Sequence, residues 1–259
     1  MGRHPRSDAR WGLVIDLDLC TGCGACTVAC ALENNVPMPP PEAGASRGLS
    51  WIKLFCVDGG STEAQASLEQ PAEVVFIPLP CQHCDNNPPC VAVCPQNATD
   101  VDPLTGIVSQ IPERCLGCRY CMAACPYQAR SFNWWDPAWP AGMELGLNPA
   151  VSPRQRGTVE KCVLCHGRRQ EATARAAAEG KRAPRPDDIV PACAEACPAM
   201  AIRHGDLSDE TSEVGELARS SRAFRLLESL GLETKVVYLS SRPWVRELGR
   251  GIDGKGGGR

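Results

Sequence analysis

A chain of 259 residues with 43% hydrophobic and 22% charged side chains has the composition of a folded protein, and its formal net charge of −3 argues against a basic nucleic-acid binder. Four Phe and three Tyr are few for that length, whereas 24 Gly, 23 Pro and 17 Cys make a turn-rich chain that needs something besides apolar side chains to organise it. The opening MGRHPRSDARWGLVIDLDLC lacks an apolar stretch of about 7 to 15 residues and a small-residue cleavage site, so it does not read as a signal peptide. No window approaches the roughly 18 uncharged apolar residues of a spanning helix, the Cys-rich run 19–32 being the nearest.

In chain order, the first strong signal is Cys20, Cys23, Cys26 and Cys30 in CTGCGACTVAC. A Pro-rich loop at 36–48 follows, then an alternating run at 51–57 and a strand-like run at 73–80, which together predict a β-hairpin with a long connection. The second quartet is Cys81, Cys84, Cys90 and Cys94 in CQHCDNNPPCVAVCP, and the third is Cys115, Cys118, Cys121 and Cys125 in CLGCRYCMAACP. Residues 106–111 and 129–134 flank the third quartet as short strands. The split fourth quartet is Cys162, Cys165, Cys193 and Cys197, ending in CAEACP. Between its halves, 166–180 is rich in Arg, Ala, Gln and Glu and predicts a helix that KRAPRPDD breaks. Ala223, Leu226, Leu227 and Leu230 recur at helical spacing with Gly231 as a stop, and 235–240 predicts a strand. The Gly-rich tail 249–259 and residues 1–10 read as flexible termini.

Four quartets at these spacings point to [4Fe-4S] clusters. Cys-x2-Cys-x2-Cys delivers three thiolates from one tight loop, and a cysteine after three intervening residues sits on the departing helix and serves a neighbouring cluster. The quartet at Cys115 fits this ferredoxin run fully, with Pro126; the quartet at Cys20 fits it without the proline, and the other two are loop-expanded but keep the final Cys-x3-Cys-Pro. Gly22, Gly24 and Gly117 suit a backbone that must approach a cluster closely. Structural zinc takes four thiolates as two well-separated pairs, which three thiolates within seven residues do not resemble.

The quartets, their Cys-Pro endings and their order resemble the four-cluster ferredoxin subunits of membrane-associated molybdopterin oxidoreductases, the dimethyl sulfoxide reductase family. WGLVIDLDLCTGCGACTVACALENN and EKCVLC are particularly similar to the iron-sulfur subunits of the menaquinone reductase complex and alternative complex III. The resemblance implies an α+β fold of two ferredoxin-like dicluster modules with long loops: residues 11–35 and 154–248 in one, and 36–153 with the hairpin insertion in the other. It implies four clusters: one on Cys20, Cys23, Cys26 and Cys197; one on Cys162, Cys165, Cys193 and Cys30; one on Cys81, Cys84, Cys90 and Cys125; and one on Cys115, Cys118, Cys121 and Cys94. The implied partners are a molybdopterin-family large subunit, an integral membrane quinone-interacting subunit and a multihaem cytochrome c, with no nucleic acid and with membrane contact only through partners. The implied location is peripheral on the inner membrane, on the periplasmic face after co-export with a partner that carries a twin-arginine signal. The insertion between Cys165 and Cys193 departs from the family pattern.

Other residues have blander readings. Cys56 reads as a small buried hydrophobe in a strand, and His83 and His166, beside cysteines of quartets that are complete without them, as second-layer or surface groups. Trp134, Trp135 and Trp139 read as packing over a cluster or, more sharply, as an interface. Arg119, Arg130, Lys161, Arg168 and Arg169 read as surface charge that also eases electrons onto clusters whose −2 units bring the chain to about −11. No dinucleotide fingerprint, nucleophile with its base, or cluster short of a cysteine marks an enzyme in its own right. The chain therefore reads as an electron-transfer subunit of a respiratory complex, quinone-linked or, alternatively, serving a molybdopterin reductase or dehydrogenase acting on a sulfur compound.

Overall fold

The computed structural model describes residues 10–41, 48–59, 73–181, 184–185 and 188–250. Regular structure is short and mixed, in chain order β1 (Trp11–Asp16), α1 (Ala25–Glu33), β2 (Lys53–Asp58), β3 (Val74–Leu79), α2 (Pro89–Ala92), β4 (Thr99–Val101), β5 (Val108–Gln110), α3 (Tyr120–Ala123), β6 (Ser131–Phe132), β7 (Val159–Glu160), α4 (His166–Ala178), α5 (Ala192–Glu195), β8 (Ile202–Asp206), α6 (Glu213–Ala218), β9 (Ala223–Phe224), β10 (Val236–Leu239) and α7 (Pro243–Arg250).

The largest sheet has the order β8-β1-β10-β9. Its centre is β1, whose WGLVID is buried at every residue but the last. Leu13 and Ile15 face the main core with Cys26 and Cys30, while Val14 faces Leu207, Val214, Val237 and Leu239. A strand covered on both sides needs such a near-continuous apolar run. β10 lies parallel to β1, with Leu13 opposite Val236, and β8 lies antiparallel, with Ile15 opposite Ile202. Since β1 leads into the first quartet and β8 leaves the fourth, this pairing joins the two ends of the chain, and α1 packs on α5.

β2 and β3 form the expected hairpin, with Lys53 opposite Leu79 and Asp58 opposite Val74. β4 pairs with β5, and β6 pairs with β7 across almost thirty residues, Ser131 opposite Glu160. The loop of the second quartet is tied to the large sheet by buried and partly buried contacts. The Lys235 N–H donates to the Gln82 carbonyl at 2.9 Å. The Tyr238 hydroxyl donates to the Pro78 carbonyl at 3.0 Å and lies 3.2 Å from the Gln82 amide that donates to it. Asp85, next to Cys84, takes Lys235 at 2.7 Å and Arg10 at 3.1 Å.

Three expectations need correction. The Leu-rich segment at 223–230 is not an α-helix: Ala223 and Phe224 extend as β9 against β10, Leu227 is left-handed (φ 52°), and Glu228–Leu230 is a single 3-10 turn before Gly231. Burying Phe224 against Tyr238, with ring centroids 5.9 Å apart, outweighs local helix propensity. The helices lie on either side instead. α6 is capped by Ser212, whose hydroxyl accepts the Gly215 N–H at 3.0 Å, and α7 continues to Arg250 with Gly249 buried on the Phe224 ring. Residues 249 and 250, expected in a flexible tail, belong to α7; the rest of the expected flexible termini, 1–9 and 251–259, lies outside the described residues, and Arg10 is held by Asp206 and Asp85. Cys56 is exposed on β2, because this position of the hairpin faces outward.

Gly22 has φ +72°, and a Cβ there would come within 2.5 Å of the Phe76 ring of β3, so the hairpin closes directly over the first cysteine loop. Gly22→Ala is expected to destabilise the iron-loaded protein by about 1–3 kcal/mol. Phe76→Ala in the same chain should recover only the steric part, as read by anaerobic thermal unfolding; an unchanged melting curve in Gly22→Ala would contradict the close approach.

Candidate iron-sulfur centres

One local geometry recurs four times. The third cysteine of each quartet is the second residue of a helix: Cys26 in α1, Cys90 in α2, Cys121 in α3 and Cys193 in α5. The fourth cysteine follows four residues later, about one turn along. After Cys94, Cys125 and Cys197 comes Pro, and the third residue beyond each cysteine (Asn97, Gln128, Met200) is left-handed with φ near +48°. That turn brings the next N–H back to sulfur: Ala98 to Cys94 at 3.2 Å, Ala201 to Cys197 at 3.2 Å, and Ala129 to Cys125. Cys30 lacks the proline; α1 runs on to Glu33, and the Asn34 side-chain amide approaches the Cys30 sulfur at 3.7 Å instead. Further N–H donors reach Cys115 from Val159 at 3.5 Å and Cys165 from Ala192 at 3.4 Å. Such donors are what a sulfur that carries negative charge requires. Gly117 permits a similar closeness: its φ is +73°, and a Cβ would lie 2.3 Å from the Gly157 carbonyl oxygen.

The cysteines assemble into four groups that mix the quartets. Cys20, Cys23, Cys26 and Cys197 line one small cavity, and Cys94, Cys115, Cys118 and Cys121 line another. Burial pushes the Cys30 thiol well up, and Cys162, Cys193 and Cys165 raise it further as its nearest charged neighbours. Burial likewise raises Cys84, reinforced by Cys81, Cys90 and Cys125. These are the Cys20, Cys115, Cys162 and Cys81 groups, named by their leading cysteine. Among the described residues no three His, Cys, Asp or Glu side chains converge as a single metal ion demands. In the Cys20 and Cys115 groups the four cysteines line one shared space.

The charged neighbours differ from the surface residues the sequence suggested. Arg130, Lys161 and Arg169 are buried, whereas Arg119 is exposed and stacks 5.3 Å from Phe132 and 5.0 Å from Trp134. Trp135 and Trp139 are half-buried. Arg168, at the start of the inserted α4, bridges Glu33 at 2.8 Å and Glu195 at 2.7 Å, so the insertion clamps α1 to α5. His83 is fully buried with neither ring nitrogen partnered, and burial together with Lys161, Lys235, Arg169 and Arg130 pushes it far down, leaving it neutral. His166 is exposed, 3.1 Å from the Arg169 guanidinium.

Comparison with known proteins gives the chemistry. A 4Fe-4S dicluster domain family matches residues 72–140, and a 4Fe-4S binding domain family matches 11–32. The chain is 49% identical over 242 residues to the iron-sulfur cluster-binding subunit of menaquinone reductase from Nitratidesulfovibrio vulgaris, covering 93% of this chain and 92% of that one. It is 35% identical to the iron-sulfur subunit 1 of an Hdr-like menaquinol oxidoreductase from Archaeoglobus fulgidus, over 90% and 84% of the two chains. It is 31% identical to the iron-sulfur subunit of an arsenate respiratory reductase from a Shewanella species, over 90% and 97%. The chain belongs to this family of iron-sulfur electron-transfer subunits. As one of them, it carries 4Fe-4S clusters in ferredoxin-type domains and works as a component of a multi-subunit reductase complex. Among the described residues no helix is long and apolar enough to cross a membrane.

In this iron-sulfur subunit burial holds most site thiols above their ordinary range, Cys162 at about 12. Cys94 shifts the other way: burial would raise it, but N–H groups of Gln96, Ala98 and Thr99 and the Arg130 charge outweigh that and bring it down. Thiols with raised pKa carry their protons at neutral pH, so ligation as thiolate must expel them and iron is held less firmly as pH falls. Chelator stripping under anaerobic conditions should therefore be faster at pH 6 than at pH 8, with loss of helix and strand signal in circular dichroism tracking loss of iron. A stripping rate indifferent to pH would contradict this.

Proposed function

We propose that the chain is a linear relay of four [4Fe-4S] clusters in a quinone-linked respiratory complex of the menaquinone reductase type. The observation that carries this reading is the order in which the four sulfur groups act on one another. Cys26 of the Cys20 group acts on Cys30 and Cys193 of the Cys162 group; Cys162 neighbours Cys81; Cys90 of the Cys81 group neighbours Cys121 of the Cys115 group. Each group meets only the next along the line among these strongest influences. Exposure supports the same order, since Cys23 and Cys118 reach the surface in the two end groups while all four cysteines of the Cys162 group are buried. A bound cluster supplies a one-electron centre. The chain's own part is to hold the sulfurs, donate N–H groups to them and exclude water from the middle of the line.

In this reading Cys20, Cys23, Cys26 and Cys197 bind the first cluster, Cys162, Cys165, Cys193 and Cys30 the second, Cys81, Cys84, Cys90 and Cys125 the third, and Cys115, Cys118, Cys121 and Cys94 the fourth. The large sheet with α1 and α5 forms one dicluster module and residues 36–153 the other. The 49% identity to a menaquinone reductase subunit favours this complex over a sulfur-compound reductase. The partners are then a molybdopterin-family large subunit, a membrane quinone-reactive subunit and a multihaem cytochrome c donor, and the subunit sits peripherally on the periplasmic face.

The iron-loaded protein should contain about sixteen iron and sixteen acid-labile sulfide per chain. Cys30→Ser should perturb only the cluster of Cys162, Cys165 and Cys193, leaving that of its sequence neighbours Cys20, Cys23 and Cys26 intact, and Cys197→Ser should do the reverse. If Cys30→Ser and Cys23→Ser altered the same cluster in an EPR-monitored redox titration, the cross-ligation would be wrong.

Location is tested on intact cells. The subunit should become accessible to protease or impermeant label in spheroplasts, together with a periplasmic control; protection alongside a cytoplasmic control would move it to the other face.

A further inference from the structure

Four basic side chains are buried among the cysteine groups: Arg130, Lys161, Arg169 and Lys235, none more than 7% exposed. Two have carboxylate partners, Arg169 with Asp102 at 3.4 Å and Lys235 with Asp85 at 2.7 Å. The other two pair with no carboxylate among the described residues. The Lys161 ammonium, 1% exposed, donates to the backbone carbonyls of Val108 and Cys162. Arg130 donates through Nη1 to the Gln110 side-chain oxygen at 2.8 Å and has the Cys90 thiol as a further hydrogen-bond partner.

A buried cation satisfied by neutral dipoles alone is costly, and proteins tolerate it when an opposite charge lies within reach. Here the opposite charge is sulfur. Lys161 immediately precedes Cys162 and donates to its carbonyl, and Cys81, Cys162 and Cys90 act on its ammonium together with the nearby Arg130, which places it between the Cys162 and Cys81 groups. Arg130 faces Cys90, Cys121 and Cys81, between the Cys81 and Cys115 groups. The remaining junction differs. Besides burial, the strongest influences on Cys26, Cys30 and Cys193 are other cysteines, Thr27 and an Ala194 N–H, with no cation among them. His83 stands amid the cations but is neutral and cancels nothing.

A cluster that gains an electron gains a negative charge, so a fixed cation close by, in a medium of low dielectric, favours the reduced form. We propose that Lys161 and Arg130 are the counter-ions of the relay, raising the reduction potential of the Cys81-group cluster from both sides. The Cys162-group and Cys115-group clusters are raised from one side each, and the Cys20-group cluster from neither. The line then has an electron-holding centre at its third position and its most reluctant acceptor at the Cys20 end. This rests on the four-cluster reading above.

The test is EPR-monitored redox titration of the iron-loaded protein carrying Lys161→Met, Arg130→Met or Arg130→Lys, with iron and sulfide counted in each. Lys161→Met should lower the one-electron reduction constant about tenfold, equivalent to about 59 mV, at the Cys162-group and Cys81-group clusters. Arg130→Met should do so at the Cys81-group and Cys115-group clusters, and Arg130→Lys should keep the wild-type potentials. The third cluster responds to both losses of charge and the first to neither, a pattern that loosened packing does not produce. Equal shifts at all four clusters, no shift at any, or the same shift in Arg130→Lys as in Arg130→Met would overturn the proposal. If Arg130→Met loses iron, retention by Arg130→Lys supports the counter-charge and loss by both refutes it. A wild-type titration with fewer than four clusters would overturn the four-cluster reading itself, whatever the variants do.

Discussion

The structure depends on one helical turn. In each quartet the third cysteine opens a helix and the fourth lies four residues further on, within α1 in the first quartet and just past the helix in the other three, so the two sulfurs turn to different groups. No quartet can complete its own group. Each must find a sulfur elsewhere, and the chain must fold so that it does. Segments as remote as α1 and α5 are packed together for this reason, and the β1, β8 and β10 strands lock that arrangement with ordinary sheet hydrogen bonds. Aromatic residues, which dominate many cores, are few here. The cysteines themselves form part of the core, alongside Leu13, Ile15, Ile77 and Ile107.

The cysteine spacing was legible because the chemistry of a four-thiolate core leaves few alternatives, and so were the β2–β3 hairpin, α4 and β10. The recurring Cys-Pro-x-x-Ala was equally visible at Cys94, Cys125 and Cys197, and it was read only as far as the proline. Its alanine supplies the N–H that returns to sulfur, a role that needs a left-handed residue just before it and shows no hydrophobic period. The helix expected at 223–230 went astray because Phe224 gains more from Tyr238 and the sheet than Leu226, Leu227 and Leu230 would gain from a helical stripe. α6 was signalled by Ser212 followed by Glu213 and Glu216, a cap and an acidic first turn, but it is too short to display periodicity.

Burial was the hardest property to foresee. A lysine or arginine beside a cysteine ligand reads as surface charge on any composition-based view, yet Lys161 and Arg130 are enclosed, and Cys56, apolar by type, is exposed. Sequence records which charge is present and not which side of the backbone it faces. In short two-residue strands such as β6 and β7 no alternation is long enough to tell. The enclosure of Lys161 follows from β7, whose pairing with β6 puts Glu160 toward Trp51 and Asn133 and leaves the next side chain on the opposite side.

The central position of β1 also has a temporal side. During synthesis, every sulfur of the Cys81 and Cys115 groups has emerged once residue 125 is made, whereas the Cys20 group waits for Cys197 and β1 waits for β10, more than 200 residues downstream. Residues 11–30 thus belong to the part completed last, and until residue 197 is made they hold an apolar strand and four thiols, Cys20, Cys23, Cys26 and Cys30, whose groups are unfinished. A chain truncated before Cys162 would retain the sulfurs of the Cys81 and Cys115 groups while forfeiting the other pair.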